Sequence, residues 1–166
     1  MDHRQLSERE CHDVLACTPA ARLAVTRRGQ PHIELVALIH LDGEPVALLP
    51  ESSEIRHDLS AVVSPRRPVV LQCDDLTDLP RSALSVTVTA RPRWVVSLPG
   101  IRACRRTAAA HGFALSPDTW FLALTRPQLT GHRIPLGHRT GAPEAGGDTA
   151  YPSGPFAAQA RGHSGG

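Results

Sequence analysis

The chain contains no lysine and no asparagine, so all 18 of its basic residues are arginine. Without lysine there is no Schiff-base lysine, no GK[ST] phosphate loop and no catalytic or phosphate-binding lysine. Aromatic residues are scarce at 4%, so a core has to be built from Leu, Val and Ala; the 41% hydrophobic fraction is enough for one. No apolar run reaches the ~18–20 residues of a membrane span. The opening Met1-Asp2-His3-Arg4 leads into a polar stretch, so no signal peptide is expected and the chain reads as cytoplasmic. The formal net charge of +2 is too small to favour nucleic acid or an anionic membrane as partner. Four scattered cysteines, Cys11, Cys17, Cys73 and Cys104, form no CxxC pair and suit reduced thiols. At 166 residues the chain is one domain, or one domain with a tail.

The tail is legible in composition. From Gly137 to Gly166 there are eight Gly and three Pro with no apolar period, which predicts disorder. The folded part is therefore expected to span 1–136. Its first element is a helix opened by a capping box, Ser7-Glu8-Arg9-Glu10, striped by Cys11, Val14 and Leu15 and closed by Pro19. Strands follow at Arg22–Thr26, at Ile33–Leu41, whose nearly continuous apolar run predicts burial on both faces, and at Val46–Leu49 after an Asp42-Gly43 hairpin turn. A second helix starts near Ser52 or Ser53, with Ile55, Leu59, Val62 and Val63 at helical spacing, and Pro65 and Pro68 close it. Val69–Cys73 and Leu84–Val96 read as strands, with an edge or a bulge at Pro92. A third helix runs from Pro99 to about Ala110 with Gly112 as its stop, and Trp120–Leu124 with Gln128–Ile134 predict a closing hairpin. So many short strands in tight succession imply antiparallel pairing. The fold class expected is a mainly β, antiparallel split barrel of six or seven strands with small flanking helices.

Four segments carry a family resemblance: Ala21-Arg22-Leu23-Ala24-Val25-Thr26; Gly29-Gln30-Pro31-His32; Ser85-Val86-Thr87-Val88-Thr89-Ala90-Arg91-Pro92; and Pro117-Asp118-Thr119-Trp120 with Leu129-Thr130-Gly131-His132-Arg133-Ile134. In this order and spacing the chain, from Leu6 to Ile134, resembles a divergent member of the pyridoxamine 5'-phosphate oxidase-like family, the flavin-binding split barrels. The resemblance implies a homodimer with pockets at the subunit interface. It also implies flavin mononucleotide (FMN) as cofactor, with deazaflavin or haem as alternatives, and a small-molecule substrate. It places the cofactor-binding positions at Ala37, Leu38, Leu49, Pro50, Ser52, Ser53 and Arg56.

The departures from the family pattern fall at the phosphate. The Arg-Thr pair that usually ends the third strand is Leu49-Pro50 here, and the basic residue expected on the next helix falls at Glu54 or Ile55. Ser52 and Ser53, with the helix amides, can still hold an anion, and Arg56, His57, Arg66 or Arg67 can supply charge. Glu51 and Glu54 at the same helix start oppose a phosphate dianion.

Other constellations read more plainly. The nine histidines include no zinc spacing, so no metal site is expected. His32 and His40 flank the second strand as pocket-lining or strand-end residues, and either could ligate a haem. Ser52 and Ser53 lie in no G-x-S-x-G elbow and fit helix capping. Arg102, Arg105 and Arg106 fit a solvated basic face, and Cys17 lacks an activating neighbour. No general acid or base stands out. Two functional classes follow: a flavin-dependent oxidoreductase moving a hydride to or from a small substrate, and a non-catalytic binding or sensing module whose phosphate site has decayed.

Overall fold

The computed structural model of the chain describes residues 4–27, 29–62, 68–79 and 81–136. The expected tail, Pro65, Arg66 and Arg67 lie outside them. Ten elements follow one another: β1 (Arg4–Gln5), α1 (Glu8–Cys17), β2 (Ala20–Arg27), β3 (Gln30–Leu41), β4 (Glu44–Leu49), α2 (Glu54–Val62), β5 (Val69–Asp75), β6 (Ser82–Trp94), α3 (Leu98–Ala110) and β7 (Trp120–Pro135). Every pairing is antiparallel. The strand order is β1-β7-β4-β3-β2-β5-β6, and β6 returns to pair with β7. That last pairing closes six strands into a barrel, with β1 as a short extra edge beside β7.

Local chemistry starts and stops the elements where the sequence says. In α1 the Ser7 hydroxyl accepts from the Glu10 N–H while the Glu10 carboxylate accepts from the Ser7 N–H. The Ser7 backbone N–H, then its hydroxyl and the Arg4 guanidinium, lower the Glu10 carboxyl to about 2. Asp42 and Gly43 both take positive φ, 52° and 81°, which is the twist that a two-residue hairpin between β3 and β4 needs. Ser97 caps α3, and Gly112 stops it with φ 79°.

Two apolar clusters hold the barrel. The interior is filled by alternate residues of the strands, among them Leu23, Val25, Val36, Leu38, Ala47, Leu49, Leu71, Val86, Val88, Leu122 and Leu124, with Ile55 and Leu59 of α2 inserted from one end. Outside the wall, α3 packs Cys104 and Ala108 onto Ile39, Val46, Leu48, Phe121 and Ala123. On β7, Gly131 lets α1 lie close: a Cβ there would stand 2.7 Å from Cys11 Sγ and 2.9 Å from Leu6 Cδ1.

Three expectations need correction. The closing hairpin is one strand, β7, because Arg126 (φ 52°) and Pro127 form a bulge opposite Ala90 instead of a turn. β7 pairs with β6 on both sides of it, the flanking pairs being Thr89↔Gln128 and Arg91↔Thr125. The strand expected at Ile33–Leu41, now β3, is buried on both faces only in its second half, where α3 covers Ala37, Ile39 and Leu41. In its first half Ile33 and Leu35 are 62% and 70% exposed. The short strand β1, which pairs Arg4 with Arg133, has no counterpart in the sequence reading.

Candidate functional site

The junction between β4 and α2 closes one end of the barrel. After Leu49 the chain turns at Pro50, whose carbonyl accepts from the Ser53 N–H at 3.0 Å. Ser53 is buried and caps α2, its hydroxyl oxygen accepting from the Arg56 N–H at 3.1 Å. A second group arrives from β3. Glu34 is on the same strand face as Val36 and Leu38, so its side chain is directed toward the barrel interior. Its Oε2 accepts from the Ser53 hydroxyl at 3.0 Å and from the Ile55 N–H at 3.2 Å. A carboxylate of the protein thus sits on a first-turn amide of α2, where the helix dipole favours an anion. Glu51 and Glu54 flank the position on the exposed side, and Glu54 lies 3.7 Å from His32 Nε2.

The adjoining wall is aromatic. Arg56 donates to the Asp118 carbonyl at 3.1 Å and lies 4.2 Å from the centre of the Trp120 ring. Trp120 stands edge-on to Trp94 at 5.2 Å and remains 39% exposed. Trp120 pairs with Leu49 across β7 and β4, so the two tryptophans and Arg56 sit beside the turn into α2.

The expected positions divide into two sets. Pro50 and Ser52 are exposed on the turn, Ser53 is buried beneath it, and Arg56 is half-buried one turn into the helix. Leu38 and Leu49 fill the barrel interior and Ala37 packs under α3. Register brings Ala37 opposite Leu48 and Leu38 opposite Ala47, one step from the same strand end. Sequence reasoning passed over Glu34, Asp118 and the tryptophan pair. The available signals were a lone carboxylate within an otherwise apolar strand and the placement of the chain's two tryptophans.

Elsewhere the candidate groups are engaged or inert. Arg105 donates to the carbonyls of Ser116 and Pro117 and stacks over Phe121. His40 Nε2 is buried with no hydrogen-bond partner among the described residues. Burial, and then the neighbouring His111, lower the His40 pKa. Burial, and then Asp74, push the Cys73 thiol up to about 12. Burial likewise raises Cys11 and Cys104, leaving Cys17 as the exposed thiol. Cys17 borders a cleft of about 430 Å³ between the end of α1 and the β5–β6 loop, lined also by Val14, Asp75 and Leu76. No described helix is long and apolar enough to cross a membrane.

No known family profile matches the chain, and no curated protein does. Solved structures do. A FAD-binding protein from Mesorhizobium loti superposes with a TM-score of 0.66 at 25% identity, covering 81% of this chain and 99% of that one. A FAD-binding protein from Mycobacterium smegmatis gives 0.61 at 22%, covering 79% and 99%. A haem storage protein from Vibrio cholerae gives 0.58 at 15%, covering 79% and 98%. The fold is that of the pyridoxamine 5'-phosphate oxidase-like split barrels, and this chain is a divergent example of it.

The phosphate of FMN is the part of the implied cofactor that can be tested against these residues, and it does not fit. The seat that the resemblance assigns to it holds the Glu34 carboxylate, Leu49 and Ile55 are buried core residues, and Arg56 is committed to Trp120 and Asp118.

Proposed function

We propose that this chain is a flavin-dependent oxidoreductase that works as a homodimer. The observation that carries the reading is the match to two FAD-binding proteins over 99% of their own length, one of them 25% identical. A bound flavin supplies hydride transfer; the protein's part is to hold the ring, orient a small substrate and exclude water. The contacts are proposed at the exposed turn residues Pro50 and Ser52, with Ser53, Arg56, Ala37, Leu38 and Leu49 as the layer that holds this turn in place. Trp94 and Trp120 provide an apolar rim beside them. FMN is the flavin that the resemblance implies, and the residues at the start of α2 support a flavin held by its ring over one anchored by its phosphate.

The dimer reading rests on the outer face of β2, β3 and β5. Ile33 lies opposite Ala24, and Ala24 opposite Val70, so an apolar row crosses three strands with exposed Leu35 beside it. The Arg22–Asp74 ion pair, at 2.6 Å, edges the row. An apolar centre with a charged rim is the make-up of a subunit interface.

A second reading, a non-catalytic module that binds a tetrapyrrole or senses another ligand, is favoured by the Glu34 carboxylate on the Ile55 amide and the Ser53 hydroxyl. One experiment separates the two. The purified protein is examined by visible spectroscopy and then titrated with riboflavin, FMN, FAD and haemin. Quenching of flavin fluorescence at micromolar concentrations supports the first reading. A Soret shift with haemin and no flavin uptake supports the second and overturns the first.

A further inference from the structure

We propose that Glu34 is a built-in anion that occupies the phosphate seat at the start of α2, so that this barrel selects against ligands presenting a phosphomonoester there. The inference rests in part on the flavin reading, but its core is independent of it. Three observations converge. The Ile55 N–H, a first-turn donor that would face a phosphate, donates to Glu34 Oε2 at 3.2 Å. The Ser53 hydroxyl, the side-chain donor at the same point, is spent on the same oxygen at 3.0 Å, while its own oxygen accepts from the Arg56 N–H at 3.1 Å. The Arg56 guanidinium, one turn in, lies over Trp120 and reaches the Asp118 carbonyl.

A phosphomonoester entering this seat would have to expel a carboxylate already held by two donors, or lie against it. With Glu51 and Glu54 on the outer side, the displaced charge would have acidic neighbours. A flavin bound here is consequently of the class that needs no phosphomonoester contact at α2. Riboflavin and FMN differ only by that group, so their affinity ratio isolates the seat.

The experiment measures riboflavin and FMN affinity by fluorescence quenching for the parent protein, Glu34→Gln and Glu34→Ala. It also measures thermal stabilisation of all three by inorganic phosphate. Glu34→Gln keeps the shape and one acceptor but removes the charge; Glu34→Ala empties the seat. The parent should bind FMN no more tightly than riboflavin and should gain no stability from phosphate. Both variants should gain at least tenfold in FMN affinity, about 1.4 kcal/mol, with riboflavin changed less than threefold. Glu34→Ala should gain a phosphate-dependent rise in Tm. A parent that prefers FMN tenfold or more overturns the proposal, as does a failure of both variants to gain FMN or phosphate binding. Should no flavin bind any of the three, the flavin reading fails and the phosphate-dependent Tm alone decides the role of Glu34. Should Glu34→Ala not fold, Glu34→Gln carries the same comparison.

Discussion

Replacing Gly131 by alanine tests how closely the first helix is seated on the barrel. Gly131 is inside β7, where alanine is conformationally acceptable, so any cost is steric. The added Cβ would meet Cys11 Sγ at 2.7 Å, Leu6 Cδ1 at 2.9 Å and Val86 Cγ2 at 3.2 Å. Two of those distances are shorter than side-chain carbons tolerate, and Cys11 is fixed on α1 within the buried core. Either α1 lifts from β7 or β7 shifts, and the Leu6 N–H bond to the Gly131 carbonyl, 2.8 Å, is strained in both cases. Overpacking of this kind costs about 1–3 kcal/mol. For a chain of this size that is a fall in Tm of roughly 3–10 °C. Thermal unfolding followed by circular dichroism gives the number. The mechanism is tested by adding Cys11→Ala, which removes the nearest atom. The two substitutions should then be non-additive, with the double variant more stable than the sum predicts by about 0.5 kcal/mol or more. A Gly131→Ala protein that melts within about 1 °C of the parent, or a strictly additive pair, would refute the close-approach argument.

Three further outcomes are expected. His40 is held below its ordinary pKa of 6.5 by burial and by His111, so the unfolded chain takes up the proton more readily. Stability should therefore be full above about pH 6.5 and fall as the pH drops below it, and denaturant unfolding at about pH 7.5 and 5.5 should show a loss that His40→Phe reduces. Ile33→Asp places a charge within the exposed apolar row and should convert a dimer to a monomer in light scattering without lowering the helical or strand content; an unchanged mass would remove this face as the interface. A maleimide at neutral pH should label one thiol of the native protein, Cys17, and the other three only after denaturation; fast labelling of Cys73, whose thiol is pushed up to about 12, would contradict its burial.

What the sequence made legible is local chemistry. The Ser7–Glu10 capping box, the Asp42-Gly43 turn and the Gly112 stop each specify their own backbone, and each is found where it is written. Barrel closure was inferable from strand number, because open edges are costly. What escaped was decided by distant partners. Thr125-Arg126-Pro127 has the composition of a turn, and only continued pairing of Gln128–Pro135 with β6 makes it a bulge. The run from Ile33 to Leu41 is apolar but for Glu34 and His40, yet α3 covers only its second half, and no periodicity within the strand says where a helix so much later in the chain will lie. At the site the turn residues and the helix cap were foreseen. Glu34 was not, because its role is set by a contact with Ser53 and Ile55 across the barrel end, and a lone carboxylate in a strand reads as a solvated position until that contact is seen.

The last strand sets the timing of folding. β7 is the shared partner of β1, β4 and β6, and the N-terminal residues Arg4 and Gln5 pair with Arg133 and His132. While the chain is being synthesised, the sheet β4-β3-β2-β5-β6 can form with two free edges, but no interior is sealed until β7 arrives between them. During that interval the Leu and Val side chains of the future interior face solvent, and the edges of β4 and β6 are open to other chains. Contacts this far apart in sequence make for slow closure, on the millisecond-to-second scale typical of barrels. The interval before β7 pairs is thus when this protein is most exposed to aggregation.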